Sequence, residues 1–107
     1  MAFITFVENM MGNDETIVMY SSIISVEYRS YVSKVGIHLT NNSVVWISSY
    51  ESGREMTKKE KEKEKENVKK SISDAYASLK SFLMSPNENV EVELEPFVSV
   101  VTCKEEE

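Results

Sequence analysis

Two short stretches hold the side chains best suited to recognising a charged ligand. Tyr28, Arg29, Tyr31 and Lys34 crowd one; Trp46, Tyr50 and Arg54 crowd the other. Arg29 and Arg54 are the only arginines of the chain, and both have tyrosines nearby in sequence. A guanidinium fork suits phosphate or carboxylate, and aromatic faces stack on bases. If the two stretches meet, in one chain or across a dimer, they form a ligand-binding pocket for a nucleotide or a phosphorylated partner. The plainer alternative is surface arginine beside half-buried tyrosine and tryptophan at sheet ends.

Catalytic chemistry has less to work with. His38 is the only histidine and sits between Ile37 and Leu39, where a hydrogen-bonded or surface role is expected. Cys103 follows Val-Val-Thr near the end of the sequence, and packing explains it as well as a Cys–His nucleophile pair would. A zinc site would have to combine His38, Cys103 and carboxylates without any paired ligand spacing. Gly12, Gly36 and Gly53 are too scattered for a phosphate-cradling loop. Glu91, Glu93 and Glu95 imitate paired catalytic carboxylates, but an alternating row on a strand reads as a solvent face. The expectation is a protein that is not an enzyme, with no cofactor and no metal centre.

The elements that must carry these residues are strands followed by one helix. Ala2–Val7 is apolar on both faces, as a central or doubly covered strand would be. Glu15–Tyr20 and Ile23–Tyr28 are strands separated by Ser21-Ser22, and Arg29–Lys34 reads as a loop or strand end. Val35–Thr40 and Ser43–Ser48 flank Asn41-Asn42, which predicts a type I′ hairpin turn. Asn89–Glu95 alternates strictly, with Val90, Val92 and Leu94 on a buried face and the glutamates on a wet one. After Pro96, Phe97–Val101 is read as extending the pairing.

From Thr57 the period changes. Thr57 and Glu60 fit a capping box. Val68, Ile72, Ala75, Tyr76, Leu79, Phe82 and Leu83 then form one apolar stripe, which Ser85-Pro86-Asn87 ends. That stripe could cover a sheet or serve a dimer. The Lys–Glu alternation before it places like charges at i,i+4 and opposite charges at i,i+3, so gains and losses nearly cancel. Residues 57–67 are therefore read as an exposed helical arm, with a mobile linker as the alternative. One helix over Thr57–Met84 would be about 42 Å long and overhang a small sheet.

Charge is distributed unevenly. Residues 58–70 carry seven lysines and four glutamates, whereas residues 85–107 carry seven glutamates and one lysine. The net charge of −6 repels polyanions everywhere except at the lysine run. At 107 residues and 41% hydrophobic content, one domain with a modest core is expected, ending in an acidic tail at 104–107. A single cysteine suits a reducing compartment, and no stretch reads as a signal peptide or approaches a membrane span. A soluble cytoplasmic protein is expected.

The hairpin VGIHLTNNSVVWIS followed by a helix, in a short Lys-, Glu-, Asn- and Ser-rich chain, resembles small bacterial and phage β-meander accessory proteins. The likeness covers about residues 15–83 and implies no residue roles. The combined expectation is an α+β fold: an antiparallel sheet of five or six short strands, one long amphipathic C-terminal helix and a final strand. Its function is expected to be non-catalytic binding. An oligomeric phage-type accessory or anti-defence protein would regulate, inhibit or sequester a protein or nucleotide-like ligand. The alternative is a nucleic-acid-associated accessory protein using Lys58–Lys70.

Overall fold

A computed structural model describes residues 2–9, 13–49 and 57–104. The chain is α+β. Its described strands are β1 (Phe3–Asn9), β2 (Asn13–Met19), β3 (Ile23–Arg29), β4 (Lys34–Leu39), β5 (Ser43–Ser49), β6 (Val90–Glu93) and β7 (Val98–Lys104). The helix α1 (Lys58–Met84) lies between β5 and β6 in sequence. None of the described helices is long and apolar enough to cross a membrane.

The strands form two sheets rather than the expected single one: β2-β1-β6 and β3-β4-β5-β7. The chain passes between them three times, once through α1 and twice at breaks in the alternation. A 3-10 turn at Tyr20–Ser22 takes it from β2 to β3. At Pro96-Phe97, where Phe97 adopts φ 71, it passes from β6 to β7. The first sheet is mixed, because β6 runs parallel to β1 with Val92 opposite Phe6. Side-chain alternation carries no information about the neighbouring strand or its direction, and parallel pairing needs only a long crossover, here containing α1.

Each β-run is a strand because alternate residues enter a common core. Ile4, Phe6 and Val18 come from the first sheet with Val92; Val35, Ile37, Val45, Ile47 and Val98 come from the second. The central position of β1 buries Thr5 and Val7 as well, on its other face. Val68, Ile72, Ala75, Leu79 and Phe82 of α1 fill the same core. The helix stripe is thus used inside the chain, which removes it as a free dimer face.

α1 is continuous over 27 residues, so Lys58–Asn67 is helix rather than linker. Thr57 Oγ1 accepts a hydrogen bond from the Glu60 N–H at 3.2 Å, the predicted N-cap. The charged half does not simply overhang: Glu60, Lys63, Glu64 and Asn67 share a concavity with Pro96 and Phe97.

The hairpin between β4 and β5 corrects one expectation. A type I′ turn needs positive φ at both central residues. Only Asn42 has it (φ 63), and the Asn42 N–H donates to Leu39 O at 3.2 Å. The loop is therefore three residues long, a type I turn closed by one left-handed asparagine. Asn41 Oδ1 accepts from the Ser43 N–H at 3.1 Å, which holds the turn and leaves Asn41 in an ordinary conformation.

Candidate functional site

The outer face of the four-stranded sheet forms a grid of three cross-strand rows. Arg29 faces Lys34, then Ser48, then Ser99; Glu27 faces Gly36, then Trp46, then Val101; Ser25 faces His38, then Val44, then Cys103. Directly opposed residues share a face, so all twelve side-chain positions point away from the helix-bearing core.

Gly36 determines how the middle row packs. A Cβ on Gly36 would stand 2.7 and 2.9 Å from two atoms of the Trp46 six-membered ring. The indole therefore lies across the strand at the one position without a side chain. Two cations sit against it: Lys34 Nζ is 4.5 Å and the Arg29 guanidinium carbon 5.1 Å from the ring centroid. Arg29 and Lys34 are directly opposed, which would be unfavourable for like charges alone. The ring's negative face and the Glu27 carboxylate offset that repulsion.

Glu27 bridges two partners. Its Oε2 accepts from Arg29 Nε at 3.0 Å, and its Oε1 lies 2.9 Å from His38 Nε2. His38 in turn meets Trp46 edge-on at 6.4 Å. The His38 hydrogen bond, helped by the Arg29 hydrogen bond and charge, holds the Glu27 carboxyl below its ordinary value against the opposing effect of burial. Because these side chains are 25–44% exposed, each ion pair contributes little stability, and the network mainly orients them.

Of the residues singled out by type and spacing, Arg29, Lys34 and Trp46 come together here. Tyr28 does not: it faces inward and stacks on Tyr76 of α1, with ring centroids 4.6 Å apart. Tyr31 stands at the tip of the β3–β4 turn, 84% exposed. Tyr50 and Arg54 lie outside the described residues. His38 has the hydrogen-bonded role expected of it, whereas Glu27 and Gly36 are not among the expected site residues, although period-two parity signals all three. Each lies two residues from Arg29 or Lys34, or two further on, and so shares their face.

Cys103 and His38 share the outer face, but Val44 stands between them. Two strand spacings, about 10 Å, are too far for a nucleophile–base hydrogen bond. No group of three or more metal-ligating side chains occurs among the described residues. What the arrangement can do is hold an anionic or planar group against a ring and two cations. No family model, curated protein or solved structure matches the chain.

Proposed function

We propose that this chain is a non-catalytic binding protein that regulates, inhibits or sequesters an anionic partner, either a protein or a nucleotide-like ligand. One arrangement carries the reading: the Trp46 indole lies against Gly36 with Lys34 and Arg29 at 4.5 and 5.1 Å, on a face the core does not use. A ring held in place with its cations loses little freedom on binding. Val101, 49% exposed beside Trp46, extends the apolar floor. A cytoplasmic, phage-type accessory protein acting on a host enzyme or signal is the class proposed, as a homo-oligomer joined through sheet edges.

Native mass spectrometry of protein purified from its host tests this by reporting assembly state and any retained ligand. An R29A/K34A variant should lower affinity for that partner at least tenfold, about 1.4 kcal/mol. Unchanged affinity would remove the site. A second reading, nucleic-acid association, is supported by the exposure of all seven lysines of 58–70 along one helix. A salt-sensitive gel shift with single-stranded DNA that is lost when Lys58, Lys59, Lys61, Lys63 and Lys65 become glutamine would favour it instead.

A further inference from the structure

A second surface lies on the other sheet. β6 is an edge strand: β1 occupies one side, and no described strand occupies the other. The Leu94 N–H donates to Val7 O at 2.9 Å, so Val90, Val92 and Leu94 turn their backbone groups toward β1. By the alternation of a parallel pair, Glu91, Glu93 and Glu95 turn theirs outward. The Glu95 N–H donates to Ser71 Oγ of α1 at 3.1 Å. That bond places the helix beside the open edge as a wall. Between them runs a groove of about 230 Å³ lined by Asn67, Lys70, Ser71, Asp74, Val92 and Glu93.

A strand edge with a helix wall is the geometry by which extended peptides add to a sheet. The charge on the strand selects the occupant. Glu91, Glu93 and Glu95 are all exposed; Glu93, Glu95 and Asp74 line the groove, where Lys70 is the one opposing charge. A second copy pairing here through its own β6 would set one glutamate row beside another, which like-charge repulsion opposes. A lysine-bearing strand would meet complementary charge.

We infer that the β6 edge, with α1 as its wall, docks an extended basic segment of a protein partner by strand addition. Backbone bonds to Glu91 and Glu93 supply the register, and the glutamate side chains supply the preference for lysine or arginine. The site is separate from the Trp46 face and stands or falls independently of it.

The probe is a nonapeptide of alternating lysine and threonine, titrated into the isotope-labelled full chain at low salt. Amide shifts should concentrate at 90–95 and 67–78, and exchange of the Glu91 and Glu93 amides should slow. Methylating alternate peptide amides should abolish binding, because it removes the strand bonds and leaves the charge. An E91K/E93K variant should reverse the preference by at least tenfold, toward the glutamate–threonine peptide. Glu93→Pro removes the outward N–H together with the carboxylate and should weaken binding more than Glu93→Gln, which removes the charge alone. Failure of the lysine peptide to bind overturns the inference. So do equal binding of the methylated peptide, shifts confined to the Trp46 face, and a Glu93→Pro variant that binds as tightly as Glu93→Gln.

Discussion

The inner and outer faces of the four-stranded sheet use the same strands for opposite ends. On β4, Val35 and Ile37 are fully buried, whereas Lys34 and His38, their neighbours, are only part-buried. The inner face is apolar, continuous with α1, and holds the fold. The outer face is polar and aromatic, and it is held by Glu27 and by the space that Gly36 leaves for Trp46. Stability should therefore be set by one set of alternate residues and recognition by the other.

That separation can be broken most severely from inside. Ile47→Ala removes a side chain with no exposure and should cost about 2–5 kcal/mol, seen as a lower denaturation midpoint. Leu79→Ala on α1 should cost a similar amount, whereas a glycine at exposed Lys61 should cost only about 1 kcal/mol. On the outer face, Gly36→Ala should push the indole off the strand. The expected cost is roughly 1 kcal/mol, with a red shift in tryptophan emission. An unmoved emission maximum would mean that the ring does not depend on the missing side chain.

Glu27→Gln gives the smaller, pH-dependent effect. The folded carboxyl is held below its ordinary value of 4.5 by His38 and Arg29, so the folded state resists protonation. Its contribution to stability is complete above that ordinary value and disappears as pH falls through the folded one. Urea melts of parent and variant should differ at neutrality and converge in acid. Smallest of all, R29A/K34A should change stability by no more than about 0.5 kcal/mol while lowering partner affinity at least tenfold. A large stability loss would make these cations structural.

Much of the secondary structure was legible because alternation and the helical stripe are local signals. Asn89–Glu95 shows its buried and wet faces in seven letters, and Val68–Leu83 shows one helical stripe. The charged half of α1 was harder, since its pairwise charge terms nearly cancel and continuity with the packed half decides the outcome. Arg29, Lys34 and Trp46 stood out by type. Tyr28 stood out equally but is turned inward by one step of parity, while Glu27 and Gly36 gained importance only from what lies across the strand.

By itself, then, the sequence determined which segments are strands, where the helix runs and which side of each is apolar, because those properties depend on neighbours within a few residues. The three-dimensional structure alone decided that there are two sheets, that β6 lies parallel to β1, and that an indole rests on Gly36 with two cations against it. Those are contacts between residues distant along the chain, and strand alternation is the same whichever strand lies alongside.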